Sequence, residues 1–105
     1  MKYVYRYEVP VDDRWHAVEI RGPILHVGGR SMFTVEFWAI YDTAGKSSLL
    51  EFRVFGTGQP LERAALYVGT VVIDKPVWHL FQRRTIRDLP PLPPATALSE
   101  ALLVS

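Results

Sequence analysis

The chain has 105 residues, a length at which one hydrophobic core suffices, so we expect a single structured domain. It contains no cysteine, which excludes disulfides and thiol-ligated metal sites. Its formal net charge is only +1, so no general attraction to nucleic acid or to an anionic membrane is expected. The chain opens with alternating charged and apolar residues, whereas a signal peptide needs an uninterrupted apolar run. These features predict a soluble cytoplasmic protein without membrane contact.

The composition changes sharply near residue 82. All 13 aromatic residues and all 7 glycines precede it, whereas four of the eight prolines follow it. We therefore predict a β domain over residues 1–82 and a proline-rich tail over residues 83–105.

Within the first 82 residues, short apolar segments alternate with turn signals. Tyrosines alternate with charged residues over residues 3–9, the period of a half-buried strand, and Pro10 ends the run. Further strands are predicted at 15–21, 24–27, 33–41, 49–55, 67–73 and 77–81.

Three finer predictions concern the strand connections and the middle of the sheet. The Gly28-Gly29 pair is expected to form the turn that ends the third strand. The strand at 33–41, with Phe33 on its core face, is apolar on both faces in its second half, which predicts a central, covered strand. Residues 61–66 are long enough for one helical turn.

Six or seven such strands predict an all-β fold, either an antiparallel sandwich or a small barrel. Most of the aromatic side chains are expected to fill its core.

The sequence offers little catalytic chemistry. The three histidines have no spacing that predicts a shared metal site, and no nucleophile elbow, lysine-containing phosphate loop or calcium loop is found. His79 is interpreted as a strand histidine that hydrogen-bonds a neighbour, because a catalytic role would require a carboxylate partner such as Glu36 or Asp74. We therefore predict no catalytic residue, no metal, no cofactor and no enzymatic activity.

A glycine-containing turn at residues 56–60 is the strongest candidate for small-ligand binding. Its backbone N–H groups can form a nest for an anion, although a plain tight turn leaving a strand explains the same residues. The candidate ligand-binding residues are Arg53, Gly56, Thr57, Gly58 and Arg63.

Nucleic-acid binding is not expected. Tyr3, Tyr5 and Tyr7 stand close in sequence to Lys2 and Arg6, as in single-strand binders. However, strand alternation places the tyrosines on the face opposite these cations.

The tail carries a short linear pattern. Residues 87–93, RDLPPLP, fit the ligands of SH3 domains, in which prolines preset a polyproline II helix and an arginine pairs with an acidic pocket. A stiff spacer laid across the body or a neighbouring subunit is the alternative, and residues 95–104 are predicted to form a short helix. Docking of this tail on a second copy would give a homodimer. The candidate partner-binding residues are Arg83, Arg84, Arg87, Leu89, Leu92, Leu98 and Leu102.

Three motifs carry a family resemblance: FRVFGTGQP at residues 52–60, YVGTV at 67–71 and VWHLF at 77–81. With the opening strand, they resemble a family of small all-β proteins of actinobacterial phages, of the mycobacteriophage type, and of their hosts. The resemblance covers residues 1–82 and implies an accessory protein inside the bacterial host cell, without implying a chemical activity. It also weakens the SH3 interpretation, since bacteria offer few such partners.

Together these observations favour a non-enzymatic phage protein that acts by protein–protein interaction, with a host factor or with itself. Two alternatives are a small-molecule or nucleotide binder using the turn at residues 56–60, and a virion component such as a capsid decoration protein.

Overall fold

The computed structural model describes residues 1–85, which form seven antiparallel strands and contain no helix. The strands are β1 (Lys2–Pro10), β2 (His16–Ile20), β3 (Ile24–Ser31), β4 (Thr34–Asp42), β5 (Ser48–Gly56), β6 (Leu66–Val72) and β7 (Val77–Arg84). The predicted all-β antiparallel fold is confirmed. The SH3-type pattern at 87–93 and the helix predicted at 95–104 lie outside the described residues.

The strands form two sheets that share one core. One sheet has the order β1-β4-β3 and the other the order β2-β5-β7-β6. Phe37 of the first sheet stacks on Phe52 of the second, with ring centroids 4.6 Å apart. The main core consists of the buried side chains that surround this pair, namely Val9, Ile20, Val35, Ala39, Val54 and Leu80. The protein is therefore a sandwich, and β4 is the central strand of its smaller sheet, as predicted.

The turn predicted at Gly28-Gly29 is wrong, because β3 runs through both glycines to Ser31. A side chain at Gly29 would collide with Ile73, so this glycine permits close packing instead of a turn. The chain reverses after Ser31, which places Phe33 in the hairpin connection with 71% of its surface exposed. The expected position of Phe33 on the core face of β4 is therefore also wrong.

Two other boundaries differ from the sequence predictions. The helical turn expected at residues 61–66 is a single non-helical turn, closed where the Ala65 N–H donates to the Glu62 carbonyl at 3.1 Å. Strand β7 continues to Arg84, three residues beyond the end predicted for this strand at residue 81. Beyond it, Thr85 is buried and its hydroxyl donates to the Leu49 carbonyl at 3.1 Å.

Candidate functional site

The outer face of the four-stranded sheet carries a second layer of aromatic side chains. Because side chains alternate along a strand, Phe55 lies on the face opposite Phe52 and Val54, yet it is almost fully buried. It contacts Trp15 and Phe81 edge to face, at centroid distances of 5.9 and 5.4 Å, and Tyr67 contacts Phe81 at 5.6 Å. We call these four residues the outer aromatic cluster.

The carboxylate of Glu62 holds the side chains that lie over this cluster. It accepts hydrogen bonds from Arg83 Nη1 at 2.7 Å, from Arg53 Nη1 at 3.2 Å and from Trp15 Nε1 at 3.1 Å. Arg83 also donates from Nε to Glu51 at 3.0 Å. We call these five residues the Glu62 cluster. Since Glu62 lies between β5 and β6, its bonds fix that connection over the outer face of the sheet.

The two arginines of the Glu62 cluster also cover aromatic rings. The Arg53 guanidinium lies 4.4 Å from the Phe55 ring centroid, and that of Arg83 lies 4.2 Å from the Trp15 ring centroid. Each guanidinium therefore makes both an ion pair with Glu62 and a cation–π contact. The two contacts together fix the orientation of the guanidinium plane.

His79 lies beside this layer in a line of hydroxyl groups. Its Nε2 is 2.8 Å from Thr57 Oγ1, its Nδ1 is 3.0 Å from Thr70 Oγ1, and Thr70 Oγ1 is 2.7 Å from the Tyr67 hydroxyl. Both ring nitrogens are thus bonded to threonines, and neither is bonded to Glu36 or Asp74. This geometry fits a strand histidine that connects β7 to β6 and to the turn that follows β5.

The turn at residues 56–60 is closed by its own side chain. The Gly56 N–H donates to Oε1 of Gln59, the Gln59 N–H donates to the Gly56 carbonyl at 3.1 Å, and Gly58 has a φ of 93°. An anion at this turn would have to displace the Gln59 side chain from the Gly56 N–H. Binding of a nucleotide there stays a prediction.

The structure places the predicted site residues in three groups. Arg53 and Thr57 lie at the outer face, bonded to Glu62 and His79, whereas Arg63 is exposed and forms no ion pair within residues 1–85. Arg83 belongs to the Glu62 cluster, and Arg84 is exposed at the end of β7. The remaining partner-binding candidates lie outside the described residues, namely Arg87, Leu89, Leu92, Leu98 and Leu102.

Sequence reasoning missed Trp15 and Glu62, which form the centre of the cover. They are 47 positions apart along the chain, and neither belongs to a motif. Only the pairing of β2 and β7 with β5 brings them together, so no local pattern could have identified the pair.

A second carboxylate between two arginines lies on the outer face of the three-stranded sheet. Glu36 is buried, its Oε1 lies 3.5 Å from Arg6 Nη1 and 3.5 Å from Arg30 Nε, and its Oε2 has no partner among the described residues. This carboxylate is thus held by longer contacts than that of Glu62.

Two further observations apply to residues 1–85. No three histidine, aspartate or glutamate side chains in this part of the chain are arranged to hold a metal ion. No helix in it has the length and apolar character needed to cross a membrane.

Comparison with known proteins gives one match. No curated protein and no solved structure matches the chain. A family model, described as "Domain of unknown function (DUF7352)", matches residues 1–88. Because the match spans most of the sequence, the chain belongs to the DUF7352 family.

Proposed function

We propose that this protein acts by binding protein and not by catalysis, and that its first partner is a second copy of itself. The observation that carries the proposal is the character of β6, an edge strand of the four-stranded sheet. Strand β6 contains neither a charged residue nor a proline, and its residues Leu66, Tyr67 and Val72 are 59–64% exposed.

The other edge strands are protected against pairing with another chain. Charged residues, prolines, bulges and short length are the usual protection. Strand β1 carries three charged residues and ends in a proline, β2 has only five residues and includes Glu19, and β3 contains Arg30 and two register shifts. Strand β6 has one register shift, next to Tyr67, and its other edge pairs with no strand of residues 1–85.

Antiparallel pairing of β6 with its symmetry mate would satisfy this edge. A two-fold axis makes such a contact self-complementary and closed, so it ends at a dimer. The two four-stranded sheets would join into one sheet of eight strands, in which the Leu66 end of one β6 lies beside the Val72 end of the other.

The polar groups of the outer face support binding over catalysis. Both carboxylate oxygens of Glu62 and both ring nitrogens of His79 are bonded to side chains of this same chain. These bonds stabilise the connections that lie over the outer face of the sheet. They also occupy the hydrogen-bonding atoms of Glu62 and His79 with other side chains of the same chain.

The dimer is tested by measuring the molar mass in solution by light scattering. We expect a mass twice the 12.0 kDa of the chain for the natural sequence. Val72→Lys should reduce it to that of one chain, because a lysine on an edge strand opposes pairing. Val4→Lys is the matched control, since Val4 is a similarly exposed valine on edge strand β1, and it should leave the dimer intact.

Two results would contradict the proposal. One is a single-chain mass for the natural sequence, and the other is a dimer that Val4→Lys dissociates while Val72→Lys does not.

We also propose that the protein serves as an accessory protein of an actinobacterial phage. This role is supported by the resemblance of the motifs at residues 52–60, 67–71 and 77–81. Gene neighbours test it: lysogeny or early host-takeover genes beside this one would support it, and a position among host metabolic genes would contradict it. The virion hypothesis stays a prediction, which mass spectrometry of purified particles would decide.

A further inference from the structure

Three tyrosines form an exposed stack where β1 and β4 extend beyond the main core. The ring centroids of Tyr3 and Tyr5 lie 6.0 Å apart, those of Tyr5 and Tyr41 lie 4.6 Å apart, and both pairs are stacked. Tyr3 and Tyr5 are each 43% exposed. We call Tyr3, Tyr5 and Tyr41 the tyrosine ledge.

The ledge continues a row of side chains that is otherwise part of the core. Tyr7, the next residue of the row, stacks on Phe37 at 4.9 Å, and Val9 is fully buried. Burial raises the pKa of the Tyr7 hydroxyl. The aromatic row therefore passes from buried to exposed along one strand. At its exposed end Tyr3 and Tyr5 face solvent, whereas the Arg21 guanidinium lies over the Tyr41 ring, 5.7 Å from its centroid.

The chain leaves the described fold close to this ledge. Thr85 bonds to the Leu49 carbonyl, and Leu49 is paired with Glu19 on β2. Thr85 and Glu19 are thus two strand spacings apart, about 10 Å. The Glu19 carboxylate in turn accepts the Tyr41 hydroxyl at 3.2 Å, so this row across the sheet leads to the ledge.

The sequence beyond Thr85 has the composition that such a surface binds. Residues 89–94 read LPPLPP, and Arg87 precedes them. Exposed aromatic side chains bind polyproline segments because proline rings pack against aromatic rings and the preformed polyproline II helix loses little conformational entropy. Pro90 is five positions beyond Thr85, a reach of about 16 Å when extended, which exceeds the distance of about 10 Å from Thr85 to Glu19 beside the ledge.

Charge agrees with this pairing. Hydrogen bonds from Ser47 and Tyr41 hold the pKa of Glu19 below its ordinary value, so this carboxylate is ionised at neutral pH. Its side chain is 47% exposed, although Arg21 also lies 3.5 Å away. Arg87 would add a second cation beside it.

We propose that the tyrosine ledge binds the proline-rich sequence 89–94 of the same chain. The ledge is then an intramolecular docking surface for the tail, separate from the β6 edge and independent of whether that edge forms a dimer.

A second surface near the same end of the sandwich is an alternative binding site for the proline-rich sequence. It is a groove of about 550 Å³ between residues 22–27 and 67–70, lined mainly by aliphatic side chains and with Tyr67 at one wall. The groove has no stacked aromatic pair among its lining residues, so proline recognition favours the ledge.

The absence of cysteine and the presence of five tyrosines allow a direct test in the full chain. Ala95→Cys introduces one thiol just after the prolines, and a nitroxide attached there broadens nearby NMR signals. Fluorine-labelled tyrosine gives five resonances, and we expect the nitroxide to broaden those of Tyr3, Tyr5 and Tyr41 and to leave that of Tyr67 sharp.

Variants and mixing complete the test. Replacing the four tail prolines by serine should abolish the broadening, whereas Leu98→Ser with Leu102→Ser is the tail control and should preserve it. A mixture of fluorinated chains without nitroxide and nitroxide chains without fluorine should show no broadening at the ledge.

Four outcomes would overturn the proposal. Broadening of Tyr67 alone would place the tail in the groove, and broadening in the mixed sample would assign the occupant to a second copy. Five sharp resonances, or broadening that survives removal of the prolines, would also contradict it.

Discussion

The outer faces of the two sheets differ in how each holds one carboxylate, that of Glu62 and that of Glu36. Glu62, on the four-stranded sheet, is 44% exposed and accepts close hydrogen bonds from two arginines and Trp15. Glu36, on the three-stranded sheet, is only 5% exposed, contacts two arginines at 3.5 Å and keeps one oxygen unpartnered among the described residues. The exposed carboxylate is therefore the better satisfied of the two.

This difference follows from what each face has to cover. The four-stranded sheet buries Phe55 and Phe81 on its outer face, so Glu62 anchors a connection that keeps water from a second apolar layer. The three-stranded sheet has only half-buried Trp38 at the centre of its outer face, beside Glu36. A buried carboxylate with an unpaired oxygen contributes little to stability, because its desolvation offsets the attraction to its partners.

The largest expected effect comes from removing the outer aromatic layer. Phe55→Ala should lower the free energy of unfolding by about 3–5 kcal/mol, because it empties a closed site beneath Trp15. Trp38→Ala on the other outer face should cost about 2 kcal/mol, since that ring is already partly solvated. Urea unfolding of both variants measures the difference, and equal losses would show that the two faces are alike after all.

The next effect tests the two carboxylates directly. Glu62→Ala should lower the free energy of unfolding by about 1 kcal/mol. The exposure of its ion pairs keeps this loss small, and the loss of the connection over Phe55 increases it. Glu36→Leu should leave stability unchanged or increase it by about 1 kcal/mol, because it removes an unpartnered buried oxygen while Arg6 and Arg30 stay hydrated.

Glu62→Gln is the matched control, since it keeps an acceptor for Trp15 and should lie between the natural protein and Glu62→Ala in urea unfolding. A greater loss for Glu36→Leu than for Glu62→Ala would reverse the comparison.

Most strands of this fold could be predicted from the sequence, because short apolar segments are separated by turn residues and β1 has a clear period of two. The alternation of Tyr3, Tyr5 and Tyr7 is visible without a structure, and so is the central position of β4. The turn predicted at Gly28-Gly29 is wrong because a glycine that permits a turn and one that permits close packing have the same local signal. Only the positions of Trp38 beside Gly28 and of Ile73 beside Gly29 show the close packing.

The outer-face site could be predicted only in part. Arg53, Thr57, His79 and Arg83 attract attention as residue types, and they do lie on one face. Their partners Trp15 and Glu62 come from distant segments, and the register of β5 with β2 and β7 brings them together. Register is a tertiary property that residue spacing alone does not determine.

The smallest expected effect concerns the rim of the covered face, in the connection between β1 and β2. His16 Nε2 lies 2.8 Å from Asp12 Oδ1, and this hydrogen bond, with a further one from the Arg14 N–H, holds the pKa of the Asp12 carboxyl below its ordinary 3.8. The folded state therefore binds fewer protons than the unfolded state as the pH falls. Its contribution to stability is present above pH 3.8 and is lost as the pH falls through the lower folded pKa.

Asp12→Asn should remove this contribution. The free energy of unfolding should then decrease less steeply with falling pH below about pH 4, and its dependence on pH near neutrality should change little. Asp74→Asn is the control, since Asp74 has a φ of 59° that asparagine tolerates and forms no ion pair within residues 1–85. Urea midpoints of the three proteins from neutral to acidic pH measure this dependence. If Asp12→Asn loses stability in acid as steeply as the natural protein, the rim contributes nothing, and the outer face depends on the Glu62 cluster and the aromatic layer alone.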